Sequence, residues 1–100
     1  MLSKQMLIKA QEGIDKSEIY LALVTKNFLE DDFTLYQWNY AKRKMKPFAL
    51  FVKDGIKITE DMLKDVNVVY ECHWTEDNFD KKAKEFADKY LTIRRFEGLK

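Results

Sequence analysis

"EIYLALVT", residues 18–25, is the stretch whose reading decides the fold. Ile19 to Val24 are apolar without a break, so they show neither the two-residue alternation of a half-buried strand nor the spacing of an amphipathic helix. The run is short and rich in strand-forming side chains. A strand that is apolar on both faces is normally covered by helices on both sides, as happens in parallel sheets. The same run is far too short to cross a bilayer as a helix.

Working outward, helical periods surround this strand. Upstream, Leu2, Met6, Leu7, Ala10 and Ile14 recur at helical spacing, with Ser3 placed to cap and Gly13 near the end. Downstream, "KNFLEDD" is a polar connection with room for a helical turn, and Asp31 or Asp32 is the next cap. A second helix is expected from about Phe33 to Met45, ending in Lys42, Arg43, Lys44 and Lys46 and closed by Pro47. "FALFV" (48–52) is a second strand, followed by the turn "KDG". "ITEDMLKD" predicts a short helix capped by Thr59, and "VNVVYECHW" a third strand. "TEDNFDKKAKEFADKYL" is the clearest helix, capped by Thr75, with Phe79, Ala83, Phe86, Ala87 and Tyr90 as its apolar stripe. The tail "TIRRFEGLK" reads equally as helix or as a segment docked by Ile93 and Phe96.

Strands alternating with helices at this spacing predict an α/β fold, a three-layer sandwich in which a short parallel sheet carries helices on both faces. One feature conflicts with a free-standing sheet of that kind. Exposed edge strands usually carry charges, prolines or bulges, and none lies between Ile19 and Val24. Either another chain covers that strand, or further strands are missing, or it lies in the middle of the sheet order.

The composition bounds the rest. A chain of 100 residues with 46% hydrophobic, 35% charged and 14 aromatic side chains is one globular domain with a single core. Eighteen basic and seventeen acidic residues leave a net charge of +1, too weak a field for general attraction to nucleic acid or anionic membrane. One cysteine excludes an internal disulfide and fits a reducing compartment. Lys4, Lys9 and Glu12 interrupt the N-terminal apolar residues, so no signal-peptide core stands there. A soluble, cytoplasmic domain is the expectation.

Read in series, Ile14, Ser17, "IYLALV", Thr25, "NF" (27–28), "DDFT" (31–34), Gln37, Ala41 and "KP" (46–47) resemble the middle of a Toll/interleukin-1 receptor (TIR)-like domain. The later "ITEDMLKDV" and "HWTEDNFDKKAKEFA" resemble that family's short helix, strand ending near Trp, and final helix. The likeness spans nearly the whole chain on short, degenerate motifs, and implies a flavodoxin-like fold over residues 1–100. The family's first two strands have no counterpart before Met1, which makes truncation at the N-terminus one account of the bare strand. Nucleoside deoxyribosyltransferases share the sheet and are a second, more distant resemblance.

The resemblance also locates a candidate site. Some TIR-like domains cleave NAD, and the family's catalytic glutamate falls where this chain has Gln37. Breaking the nicotinamide–ribose bond develops positive charge that a carboxylate stabilises and an amide does not. The implied role is therefore a non-catalytic protein–protein interaction module in signalling or defence, without a cofactor. Its partner would be another protein or a second copy, meeting the Ile19–Val24 edge or the adjacent helices. The alternative is an enzyme that cleaves the glycosyl bond of NAD or a nucleoside, its pocket at the strand C-terminal ends lined by Thr25, Asn27, Phe33, Gln37 and Trp38.

Two other constellations have simpler readings. Cys72 and His73 could form a nucleophile and base only if the strand has already ended, because neighbours on a strand point to opposite faces. A single histidine leaves no second imidazole for a zinc site of the usual kind. "KRKMK" (42–46), near Tyr36, Trp38 and Tyr40, has the residue types of a nucleic-acid surface, yet cations are also expected in a helix's last turn.

Overall fold

A computed structural model describes residues 3–98, with side chains described through residue 90. The elements run in the order α1 (Lys4–Lys16), β1 (Tyr20–Val24), α2 (Lys26–Glu30), α3 (Asp32–Arg43), β2 (Pro47–Lys53), α4 (Glu60–Leu63), β3 (Asn67–Trp74) and α5 (Phe79–Gly98). The three strands form one parallel sheet in the order β1-β2-β3. The expected α/β sandwich, a parallel sheet flanked by helices and compatible with a flavodoxin-like arrangement, is what the chain adopts.

Burial explains the order. β2 is apolar on both faces because it is the central strand: Phe48, Ala49 and Leu50 have no exposed surface. On one face Phe48, Leu50 and Val52 pack with Ala22 and Val24 of β1, Ile14 of α1, Phe28 of α2, and Trp38, Tyr40 and Ala41 of α3. Met62 and Leu63 of α4 close the same cluster. On the other face Ala49 and Phe51 pack with Trp74 and with Phe86 of α5. Each fully buried large side chain contributes about 1.5–3 kcal/mol, so β2 anchors both layers. The crossovers through α3 and α4 lie on the same face, as strands added in one direction with one handedness require.

The local signals worked mostly as predicted. Ser3 caps α1 by accepting from the Met6 N–H (3.1 Å), Thr59 caps α4 from Met62 (3.3 Å), and Asp31 caps α3 from Phe33 (3.0 Å). Three boundaries differ. α3 stops at Arg43, before the proline, because Met45 turns left-handed (φ 55°) and closes a C-terminal motif with bonds from Met45 N–H to Lys42 O and Lys46 N–H to Ala41 O. Helical spacing would put Met45 on one stripe with Thr34, Trp38 and Ala41, but beyond the helix end it is 83% exposed. Pro47 is the first residue of β2, where a missing N–H is tolerated. α5 starts four residues after Thr75: Thr75 N–H donates to Asn78 Oδ1 (2.7 Å), and this turn delays the helix to Phe79. The helix then runs through the ambiguous tail to Gly98; docking by Ile93 and Phe96 concerns side chains outside those described.

β1 is an edge strand, so the possibility that it lies inside the sheet order is overturned. Its two faces also differ: Ala22 and Val24 are buried, whereas Leu21 and Leu23 are 56% and 47% exposed. The strand is apolar on both faces and covered by helices on one.

Candidate functional site

Among the described residues, two hollows lie along the open side of β1. Where β1 ends, Thr25 stays extended and its Oγ1 accepts the Phe28 N–H (3.1 Å), starting α2 immediately. Asp31 ends α2 and starts α3, so the chain doubles back and sets Thr34 and Gln37 above the outer rim of β1. The result is an open cleft of about 530 Å³ whose walls include Leu21, Leu23, Thr25, Asn27, Asp31 and Gln37.

This cleft unites three of the residues singled out in the sequence: Thr25, Asn27 and half-buried Gln37. Phe33, also half-buried, is not among its walls. Trp38 belongs to the core, with 1% exposure, edge-on contacts to Phe28 and Phe48 (5.9 and 4.9 Å between centroids), and its indole N–H donated to Met62 O (3.1 Å). The cleft's polar groups are largely occupied by the backbone. Thr25 caps α2, the Thr34 hydroxyl lies 2.9 Å from both Phe28 O and Asp31 O, and Asp31 Oδ1 caps α3. Asp31 is the one carboxylate among the described residues that line the cleft; its sequence signal was that of a cap, and capping is what it does. Tyr20, on the same wall, is pushed up to about pKa 12 by burial.

A second concavity lies across β1 from the first. Ile19, Leu21 and Leu23 form one side of an apolar groove of about 410 Å³, and Phe79, Phe86 and Tyr90 of α5 form the other. Leu21 and Leu23 line both hollows, so they stand as a ridge along the sheet edge. The opposite edge is built differently. β3 carries a bulge at Val69, skipped where Phe48 pairs with Val68 and Ala49 with Tyr70, and it exposes Asn67, Glu71 and His73 as well as Val68 and Val69. Bulges and charges are the usual protections of an edge. β1 pairs with β2 in unbroken register and has neither.

The remaining candidates separate. β3 continues through Trp74, so Cys72 and His73 point to opposite faces. Cys72 packs with the α5 cluster, where burial pushes its thiol up, away from the thiolate a nucleophile needs. His73 instead approaches Glu71 (3.4 Å) beside Val52 and Leu63. The basic run at the end of α3 is tied to α1: Lys46 Nζ donates to Asp15 O (3.1 Å) and Ser17 O (2.9 Å), and Lys44 stands 3.9 Å from the Asp15 carboxylate. The nearby tyrosines are engaged as well, Tyr40 donating to Asp15 and Tyr36 bonded to Gln11, so neither is an open stacking platform. Among the described residues no helix is long and apolar enough to cross a membrane. Comparison with known protein families, with characterised proteins and with solved structures finds no match to this chain.

Proposed function

We propose that this domain works by protein–protein association, without catalysis of its own, and that its partner is a second copy of the chain meeting it along β1. The observation that carries this reading is the leucine ridge: Leu21 and Leu23, about half exposed, flank a strand edge with no charge, proline or bulge to block pairing. Leaving such an edge in water forgoes its apolar burial and leaves its outward backbone groups bonded only to water, and a second strand supplies the burial and a ladder for those groups. The resemblance to TIR-like domains supports the same role, since homotypic contacts between such modules assemble signalling or defence complexes in the cytoplasm.

A second reading has one observation in its favour, the meeting of Thr25, Asn27 and Gln37 in one cleft: cleavage of NAD or a nucleoside at the glycosyl bond. Its chemistry lacks a free carboxylate at the amide's position, and Asp31 is spent on the α3 cap.

Light scattering over a concentration series tests the main reading. The measured mass should climb from 12.0 kDa toward twice that value, and Leu21→Lys with Leu23→Lys should hold it at the monomer mass. A chain that is folded and strictly monomeric at high concentration refutes self-association.

A further inference from the structure

We infer that the turn from α3 into β2 docks the domain on an anionic lipid surface, with Met45 entering the headgroup layer and the cations around it meeting the headgroups. This goes beyond the self-association proposed above and uses a different part of the molecule.

The net charge of +1 is the sum of two unlike ends. All three strands run the same way, so the segments that enter them share one end of the sheet and the segments that leave them share the other. Where the chain leaves the strands, acids prevail: Asp31, Asp32, Asp54, Glu76, Asp77 and Asp80 stand against Lys26, Lys53 and Lys57. Where it enters β1 and β2, Lys16, Lys42, Arg43, Lys44 and Lys46 stand against Asp15 and Glu18, and before β3 Lys64 and Asp65 cancel. Acids in a helix's first turn and cations in its last each answer that helix's own dipole. Parallel topology starts α3 and α5 at one end of the sheet, so these local choices add up to a field with a direction. A chain of nearly zero net charge can then turn its basic end to a negative surface and its acidic end away.

The basic end is also held in shape. Lys46 Nζ donates to Asp15 O and Ser17 O, which draws the end of α1, and Lys16 with it, beside the turn. Arg43 and Lys44 are exposed, and their charged groups stand 5.8 and 5.6 Å from the centre of the Tyr40 ring. Among these cations sits Met45, left-handed and 83% exposed. Glycine or asparagine would make the same helix stop without strain, so the backbone gives no reason for methionine here, and neither does the core. An apolar tip ringed by cations is the composition of a segment that lies at a lipid interface, where the cations meet anionic headgroups and the apolar group goes beneath them. Nucleic acid is a poorer fit, because Met45 offers no plane for a base to stack on and Tyr36 and Tyr40 are already bonded to α1.

Co-sedimentation with vesicles measures the docking, using phosphatidylcholine with about 30% phosphatidylserine against phosphatidylcholine alone. The chain should bind the anionic vesicles at low salt, leave them at high salt, and ignore the neutral ones. Arg43→Gln with Lys44→Gln removes two cations from the surface, and binding should drop about 30-fold, at roughly five-fold for each. Met45→Gly is the second arm. Glycine suits the left-handed turn, so the domain should unfold at about the same urea concentration while its binding to anionic vesicles falls several-fold. Absence of binding to anionic vesicles, equal binding to both kinds, or binding unchanged by these substitutions overturns the proposal. Salt-sensitive binding to a DNA duplex with none to vesicles also overturns it and gives the turn to nucleic acid. Self-association that the Arg43 and Lys44 substitutions abolish, again with no vesicle binding, overturns it in favour of the acidic end of a second copy.

Discussion

Replacing Trp38 by phenylalanine separates a core residue from a pocket residue, and its cost can be worked from the geometry. The indole is 1% exposed, stacks edge-on against Phe28 and Phe48, and donates to the carbonyl of Met62 in α4 (3.1 Å). Phenylalanine keeps a ring in the slot but removes two buried carbons, about 1.6 kcal/mol at roughly 0.8 kcal/mol per buried methylene. It also strands the Met62 carbonyl, for about 1 kcal/mol at the low end of the range for an unsatisfied group, since Met62 is only half-buried. The sum is about 2.6 kcal/mol, a large fraction of the roughly 5–15 kcal/mol expected of a domain this size. At a urea slope of about 1.5 kcal/mol/M the midpoint should fall by about 1.7 M. The assay is urea unfolding followed by far-ultraviolet circular dichroism, with both proteins at one concentration so that any association affects them alike. A midpoint shift under about 0.3 M would mean that Trp38 is not packed as described, and would return it to the candidate ligand site that the sequence alone proposed.

Two further outcomes follow from the same geometry. Burial holds Tyr20 neutral up to about pH 12 while the unfolded chain's tyrosine ionises near 10.0, so the unfolded state loses its proton first and stability falls as pH rises between those values, by up to about 2.7 kcal/mol. Thermal unfolding across that range should show the decline, and Tyr20→Phe should flatten it; an equal slope in both proteins contradicts the burial of Tyr20. Incubation with NAD should release no nicotinamide above the buffer blank, for the native chain and for Gln37→Glu alike, as followed by chromatography; release by either protein favours the enzymatic reading.

The parts of the fold that were legible in the sequence are those governed by local chemistry. Ser3, Asp31 and Thr59 announced helix starts because a cap needs only a side-chain oxygen and the N–H groups two or three residues on. "FALFV" announced a strand because it is a short run of apolar strand formers between turn signals; that it is the central strand comes from the structure. The failures lie where two contacts compete and composition does not rank them. Thr75 had the composition of a cap, yet the competing bond to the Asn78 side chain moved the helix start downstream. Proline at 47 pointed to the right neighbourhood for the end of α3, but Met45, a residue with no preference for a left-handed turn, made the actual stop. Helical spacing puts Trp38 on the stripe of Thr34 and Ala41 with Gln37 on its border, yet it does not say that the Trp38 side of that stripe is sealed; the carbonyl that α4 offers the indole shows that Trp38 belongs to the core and not to the ligand site.

β1 and β2 show why the site was harder to read than the fold. Both strands are uninterrupted apolar runs, and a sequence pattern reports only that a face is meant to leave water, never which surface removes it from water. For β2 the answer lies within the chain: α3 and α4 cover one face and α5 the other. For β1 the helix α5 passes over Phe51 and stops short of Leu21 and Leu23, so half of the same signal has no covering element among the described residues. Each leucine that stays in water forgoes part of the roughly 1.5–3 kcal/mol its burial would contribute. The opposite edge, β3, spends a bulge and charged side chains on remaining unpaired. A chain that protects one edge and leaves the other bare has treated its two edges as different things, and the bare one is where a second strand should be sought.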